Sequence, residues 1–232
     1  MDGLHRRITG RAHNCPGRLN CAVILSLGVI LLFAGRCFAQ VATPAAGKDS
    51  QATEWSFSVA AYGYLVPHDI FYGSPIFAAD RQWLHLEARY NYENQETGSV
   101  WAGYNLSTGS NPVFEVTPMI GVVFGNTNGV APGCELSLAY KRIELSSELE
   151  YVADIGDKTG NFLYSWNELS YSPTDWLHAG LVSQRTRAYH TDLDVQRGFS
   201  VGFTHKGVDF TAYVLNAGWT DPTVVLGLRF AF

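Results

Sequence analysis

Two short segments of the sequence carry ionisable side chains at every second position. His85, Glu87 and Arg89 alternate in one segment, and Glu148 and Glu150 are two residues apart in the other. Residues two apart lie on the same face of an extended strand, so each segment would present an ionic surface. A carboxylate pair can serve in glycoside hydrolysis, but that reaction also needs a sugar-binding cleft, and the sequence indicates none. Pairing of opposite charges is the simpler use of these residues.

The elements that position these residues are predicted to be strands. From Trp55 onward, segments of about ten residues alternate in hydrophobicity between turn signals, and no helical pattern is present. The predicted strands are 55–65, 70–79, 82–93, 98–107, 113–124, 134–143, 145–154, 161–171, 176–186, 198–206, 208–216 and 223–232. The second is the weakest, because Pro75 lies inside it and proline disfavours a paired interior position.

The connections between these strands alternate in length along most of the chain. Long connections such as 125–133 and 185–197 alternate with short ones such as 141–144 and 205–208. Transmembrane β-barrels have tight periplasmic turns and longer outer loops. An even strand number would return both chain ends to the periplasm, and the pattern predicts twelve strands, with ten as the alternative.

The faces of the strands favour a membrane barrel over a soluble sandwich. In the last strand Val224, Leu226, Leu228, Phe230 and Phe232 share one face. A sandwich has the same period, but here the apolar faces end in aromatic residues, as membrane interfaces require. The predicted aromatic girdle contains Trp55, Tyr90, Tyr92, Tyr104, Phe124, Tyr140, Tyr151, Tyr171, Phe199 and Phe232. The predicted fold is an all-β, antiparallel, up-and-down transmembrane β-barrel over residues 55–232.

The N-terminus has the order of a signal peptide. Arginines precede the 14-residue apolar run 22–35, and the small-residue segment 37–39 follows it. The run is shorter than the roughly 20 residues of a spanning helix. We therefore expect export, with a cleaved signal peptide over 1–39 and a flexible leader over 40–54; an uncleaved anchor is the alternative.

Charge and cysteine content narrow the function further. Five of the 16 Lys and Arg residues, but one of the 21 Asp and Glu residues, lie within the first 39 positions, so the mature chain is acidic. An acidic chain argues against nucleic acid as a partner. Three of the four cysteines precede position 40, so Cys134 would have no partner for an intramolecular disulfide. Nucleotide-binding motifs and Cys/His metal spacings are absent, which predicts no cofactor and no metal.

Together, the signal peptide, the alternating strands and the closing segment LGLRFAF (226–232) resemble the Gram-negative outer-membrane β-barrel proteins. The resemblance covers residues 55–232 and specifies architecture only. It implies location in the outer membrane, with lipid and lipopolysaccharide as partners. It also implies that Phe230 and Phe232 form the assembly signal that the barrel-assembly machinery recognises.

A barrel would turn the polar strand faces inward. The predicted lumen set is His85, Glu87, Arg89, Glu115, Glu135, Lys141, Glu148, Glu150, His178, Gln184, Asp209 and Arg229. Buried charges must be either paired or hydrated. These residues therefore form either an ion-pair network that fills the lumen or the wall of a water-filled pore. Acids outnumber fixed bases, and acidic pores favour cations. The first functional hypothesis is a narrow channel for small neutral or cationic solutes.

Two further functions stay open. The resembling superfamily includes lipid hydrolases, but no serine, histidine and asparagine set is evident on the lipid-facing wall, because His85 and His178 face inward and His205 adjoins a short turn. No catalytic residue is therefore assigned. A structural or adhesive barrel would instead act through its outer loops. The loop 185–197 carries arginines that suit lipopolysaccharide phosphates.

Overall fold

The computed structural model describes residues 54–67, 71–156, 160–186, 195–218 and 222–232. The predicted signal peptide and positions 40–53 of the predicted leader lie outside the described residues, as do positions 187–194 of the longest predicted loop. A helix of a length and hydrophobicity suited to crossing a membrane is absent from the described ranges. Regular structure in these ranges consists of strands.

Thirteen strand segments follow one another along the chain. They are β1 (Ser56–Leu65), β2 (Tyr72–Arg81), β3 (Leu84–Tyr90), β4 (Thr97–Tyr104), β5 (Leu106–Gly109), β6 (Val113–Gly125), β7 (Gly129–Tyr140), β8 (Ile143–Asp154), β9 (Phe162–Tyr171), β10 (Leu177–Arg185), β11 (Gln196–His205), β12 (Val208–Leu215) and β13 (Thr223–Ala231). Each overlaps a predicted strand, and β4 and β5 together correspond to the single predicted strand 98–107.

The strands close into a twelve-stranded antiparallel barrel. β4 and β5 are two parts of one barrel strand interrupted at Asn105, because both pair with β6. β1 pairs with β13, so the first and last strands of the barrel are neighbours. Pro75 is accommodated within β2, opposite Ala61 of β1. The predicted all-β, up-and-down barrel of twelve strands is therefore confirmed.

The largest error in a predicted boundary is at the start of β7. β7 begins at Gly129 rather than at position 134, so the expected long loop 125–133 is a turn of three residues, 126–128. The Asn128 side chain closes this turn by donating to the carbonyl oxygen of Gly125 at 2.7 Å. Pro132 lies inside β7 and pairs with Ile120 of β6. Glycine and proline residues in this segment were interpreted as loop signals, although they are paired within the sheet.

Side chains alternate between the outer wall and the lumen. In β13, Leu226, Leu228 and Phe230 are each at least 40% exposed, whereas Val225, just before them on the opposite face, is fully buried. Nine of the ten predicted girdle rings are exposed, and Tyr92 is the exception at 8%. The outer wall is thus apolar, as a lipid-facing surface requires.

The two ends of the barrel differ. The terminal end carries both chain ends of the barrel and the connections 82–83, 110–112, 141–142, 172–176 and 206–207. At the opposite loop end, the connections are 66–71, 91–96, 126–128, 155–161, 186–195 and 216–222. Lys206 and Gly207 both have positive φ, which suits a two-residue hairpin turn. We call the adjoining portions of the lumen the terminal half and the loop half.

Aromatic rings close the outer wall at the terminal end. Phe232 exchanges two backbone hydrogen bonds with Phe57, at 2.8 and 2.9 Å, and their ring centroids are 5.8 Å apart. Trp55, Phe77 and Phe230 extend the stack, and we call these five residues the closing aromatic cluster. The last residue of the chain is therefore paired within the sheet.

Candidate functional site in the barrel lumen

Arg89 of β3 is the centre of an ionic cluster that crosses the lumen. Its Nη1 donates to Glu148 Oε1 at 2.6 Å and also to Glu150, both on β8. Its Nη2 donates to Glu87 Oε2 at 2.7 Å and lies 3.6 Å from Glu135 Oε1 of β7. Because β3 and β8 are not neighbours in the sheet, these contacts span the barrel interior. The Arg89 side chain is 1% exposed, so the guanidinium is held away from bulk water.

Two aromatic rings enclose the same guanidinium. The Arg89 guanidinium carbon lies 4.7 Å from the Tyr92 ring centroid and 4.9 Å from that of Trp101. Cation–π contacts of this kind are stronger when the cation is desolvated. The Tyr92 hydroxyl donates to Glu148 Oε2 at 2.6 Å, which links the rings to the carboxylates. The guanidinium is therefore fixed by both charge and packing.

A fifth glutamate, Glu93, enters the cluster from the loop 91–96. Its Oε1 lies 3.9 Å from Arg89 Nη1 and accepts hydrogen bonds from Ser99 at 2.5 Å and from Trp101 Nε1 at 3.3 Å. Its Oε2 is buried without a hydrogen-bond partner. Burial raises the pKa of the Glu93 carboxyl, while Arg89 opposes that rise. Five glutamates thus surround a single guanidinium, and we call these six residues the Arg89 cluster.

Local sequence directs this loop inward. Asn91 and Glu96 both have positive φ, and the Asn91 side chain accepts a hydrogen bond from the Glu96 backbone amide at 2.7 Å. Asn94 donates to Thr127 of the neighbouring turn at 3.0 Å. Asparagine tolerates the left-handed region and bonds to nearby backbone, which explains its use here. These hydrogen bonds hold the loop in a conformation that places the side chains of Tyr92 and Glu93 in the lumen.

An aromatic cluster fills the other side of the loop half. Tyr64 and Tyr72 stack with ring centroids 4.7 Å apart, and Trp166 meets Tyr213 edge-on at 5.0 Å. Leu215 is fully buried in the same cluster. Trp166 also packs against the hydrophobic residues beside the Arg89 cluster. Side chains therefore pack across the loop half of the lumen.

The terminal half is more accessible. The inward-facing Glu115 and Arg229 are exposed, and His178 is half-buried. His178 Nε2 lies 3.0 Å from the Thr211 hydroxyl, and its Nδ1 lies 3.7 Å from Asp209 Oδ2. Inward side chains are thus densely packed in the loop half, whereas charged side chains such as Glu115 and Arg229 are accessible in the terminal half.

The structure brings six of the predicted lumen residues together and separates the rest. Glu87, Glu135, Glu148 and Glu150 surround the Arg89 guanidinium, and His85 adjoins them with its Nε2 3.5 Å from Glu87 Oε2. His178 and Asp209 form a separate pair near Arg229, which lies opposite Asp209 in register. Glu115 is apart from both groups. Lys141 lies in the β7–β8 turn, with Nζ 5.0 Å from the ring centroid of the exposed Tyr140, and it does not reach the Arg89 cluster.

Sequence reasoning missed several members of the site. Tyr92 was expected in the girdle, but the loop turns its ring inward, so that prediction is wrong. Glu93 ends the predicted strand 82–93 but was not included in the predicted lumen set, and β3 itself ends at Tyr90. Asp80 accepts a hydrogen bond from Asn105 at 2.7 Å and lies 2.8 Å from His85 Nδ1. It lies one residue beyond the predicted second strand 70–79, in a segment predicted to be a turn, whereas β2 extends to Arg81.

The closed barrel is similar in fold to solved porin structures. A KdgM porin has a TM-score of 0.55 and 11% sequence identity, with 75% of this chain and 99% of that chain covered. A KdgM porin in complex with disordered oligogalacturonate has a TM-score of 0.53 at the same identity and coverage. Comparisons with protein-family models and with curated proteins give no match. At this identity, the likeness concerns the fold.

Proposed function

We propose that this barrel lies in the outer membrane and forms a narrow channel for small neutral or cationic solutes. The observation that carries the proposal is the charge of the lumen. Five glutamates face one guanidinium in the Arg89 cluster, and Glu115 and Glu144 add exposed carboxylates to the terminal half. An acidic pore wall concentrates cations and repels anions.

The same charge distinguishes this lumen from one that suits an acidic sugar. One of the structurally similar porins is described in complex with an oligogalacturonate, which is a polyanion. In this chain, a polyanion that entered from the terminal half would meet Glu115, Glu144 and then Glu135. Arg229 is an opposing cation in that half of the lumen. We therefore expect oligogalacturonate to be excluded.

Packing in the loop half makes the proposed channel narrow. Trp166 packs against both the aromatic cluster and the hydrophobic residues that flank the Arg89 cluster. A solute must therefore pass between these side chains or displace them. The loop 91–96 supplies Tyr92 and Glu93 to this constriction. We expect small single-channel currents, because the wall residues occupy most of the cross-section.

Planar-bilayer recording of the purified protein tests the proposal. We expect a measurable conductance whose reversal potential in a KCl gradient indicates preference for K⁺. Replacing Glu115 and Glu144 with glutamine should weaken that preference. Asp175→Asn is the matched control, because it removes one acidic charge from a fully exposed turn position. An anion-selective pore would contradict the proposal.

If the protein gave no conductance in the bilayer, a different function would have to be assigned. Silence together with cleavage of lipid esters would support a membrane-embedded hydrolase, and silence in both assays would support a structural or adhesive barrel. On the outer wall, Ser147 donates to Asn167 Oδ1 at 2.7 Å. Within the described residues, no histidine hydrogen bonds to this pair. This arrangement gives no support to a hydrolase triad there.

A further inference from the structure

Three side chains of metal-ligand type converge where the packed and accessible halves of the lumen meet. His85 and Glu87 come from β3, and Glu135 comes from β7. One ligand atom of each lies within 4.8 Å of the other two. His85 Nε2 and Glu87 Oε2 are 3.5 Å apart, close to the roughly 3.4 Å that separates two ligands of a tetrahedral zinc ion.

The imidazole is oriented as a metal ligand would be. His85 Nδ1 lies 2.8 Å from Asp80 Oδ1, and that same oxygen accepts a hydrogen bond from Asn105 at 2.7 Å. A carboxylate that holds one ring nitrogen fixes the tautomer and leaves the other nitrogen free to coordinate. His85 Nε2 is that other nitrogen. It is buried without a hydrogen-bond partner, and the residue is 6% exposed.

The surrounding charge also favours a cation. Five glutamates surround one guanidinium in the Arg89 cluster, and Asp80 adds a carboxylate beside His85. Buried negative charge is costly unless it is compensated. Arg89 Nη1 donates to Glu148 and Glu150. Its Nη2 contacts Glu87 but lies 3.6 Å from Glu135. Glu135 therefore keeps coordinating capacity on the side that faces His85.

We propose that His85, Glu87 and Glu135 bind a divalent transition-metal ion of the zinc class, with Asp80 as the residue that positions the imidazole. A nitrogen ligand selects this class over Ca²⁺ and Mg²⁺, which prefer oxygen ligands alone. The Glu135 side chain is 37% exposed, so an ion can enter from the terminal half. The site does not require that the barrel conduct. Its ligands come from non-neighbouring strands, which explains why sequence spacing did not reveal it.

Titration of the purified, untagged barrel in detergent with ZnCl₂ tests this proposal. We expect one tightly bound Zn²⁺ per barrel and no comparable binding of Ca²⁺. His85→Ala and Glu135→Gln should each weaken Zn²⁺ binding at least tenfold. Asp80→Asn should weaken it by about 10- to 100-fold, the usual effect of losing a residue that orients a ligand. Substitution of Co²⁺ for Zn²⁺ should give a visible spectrum that His85→Ala abolishes.

The second histidine of the lumen provides the matched control. His178 also faces an aspartate, but its Nε2 is already 3.0 Å from Thr211. His178→Ala should leave zinc affinity unchanged. Glu135 is the most exposed ligand, so Glu135→Gln keeps the test informative if His85→Ala does not fold. Wild-type zinc affinity in folded His85→Ala or Glu135→Gln protein, or no zinc binding by the wild-type barrel, would overturn the proposal.

Discussion

The two halves of the barrel are stabilised from opposite sides of its wall. In the loop half, the Arg89 cluster and the aromatic cluster meet inside the lumen. In the terminal half, the inward residues are accessible, and the closing aromatic cluster packs on the outer wall instead. Because the barrel wall is a single sheet, side-chain packing on either its inner or its outer face can stabilise it. The half with an accessible lumen is the half supported from outside, so the lumen there stays free for solutes or ions.

The largest effect on this contrast should come from Arg89→Ala. This change leaves five glutamates facing one another without their shared guanidinium. Breaking a buried ion pair by removing one partner costs about 3–5 kcal/mol. We expect a clear fall in the denaturant midpoint of barrel unfolding in detergent micelles.

Arg229→Ala is the corresponding change in the terminal half. Arg229 is exposed to the accessible lumen, and exposed ion pairs contribute about 0–1 kcal/mol. Its unfolding midpoint should stay close to the wild-type value. An equal fall in the unfolding midpoint of the two variants would contradict the difference between a packed loop half and an accessible terminal half.

Deletion of Phe232 tests the outer support. The deletion removes the two backbone hydrogen bonds to Phe57 and the stacked ring that joins β13 to β1. If Phe230 and Phe232 also form the assembly signal, the amount of barrel in the outer membrane should fall far more than the conductance of each inserted barrel. Quantifying protein in isolated outer membranes, beside single-channel recording, measures both. Normal assembly of the truncated chain would refute the role of the terminal phenylalanine.

Gly121→Ala should disturb the loop half by overpacking. A Cβ atom at this position would overlap the ring of Trp101, which lies against Arg89. Overpacking of this kind costs about 1–3 kcal/mol, and the unfolding midpoint should fall accordingly. Gly73→Ala is the control, because the nearest atom to its added Cβ is 3.9 Å away. A similar loss in both variants would mean that general strand propensity, rather than the Trp101 contact, explains the effect.

The smallest expected effect is the contribution of Glu93 to the pH dependence of barrel stability. Burial raises its pKa, Arg89 lowers it and Glu148 raises it, with a net rise. A carboxyl whose folded pKa is raised favours the folded state below its unfolded pKa and loses that contribution as pH rises through the folded value. Glu93→Gln, which resembles the protonated form, should therefore match wild-type stability at about pH 3 and exceed it at about pH 8. Thermal unfolding at both pH values measures this difference, and a loss of stability at the higher pH would contradict it.

Sequence alone predicted the wall of the barrel far better than its interior. The two-residue period placed Glu87, Arg89 and Glu150 on inward faces because a regular strand fixes the direction of each side chain. The predicted strand 82–93 extends three residues past the end of β3 at Tyr90. The rule therefore assigned Tyr92 to the girdle where the chain is no longer a strand, and Glu93 was not placed in the lumen. Lys141, at a positive-φ turn position, shows the same limit.

The convergence of charges was not predictable, because it depends on distance across the lumen. Arg89 and Glu148 are far apart in sequence and lie on strands that are not neighbours. A strand pattern fixes which residues point inward, but barrel diameter and strand stagger decide which of them meet. The start of β7 was misjudged for a different reason, since Pro132 is paired on its β6 side despite lacking an amide hydrogen.

The pairing of Phe57 with Phe232 places the two ends of the barrel sheet side by side. A short peptide could therefore join them, and the chain could be reopened at the turn 126–128, giving a circular permutant with the same set of neighbouring strands. Such a chain would begin at β7 and end with β6, in Phe124–Gly125, without a terminal phenylalanine. Its assembly would show whether the barrel needs a phenylalanine at the chain end or only the pairing between the strands that close it.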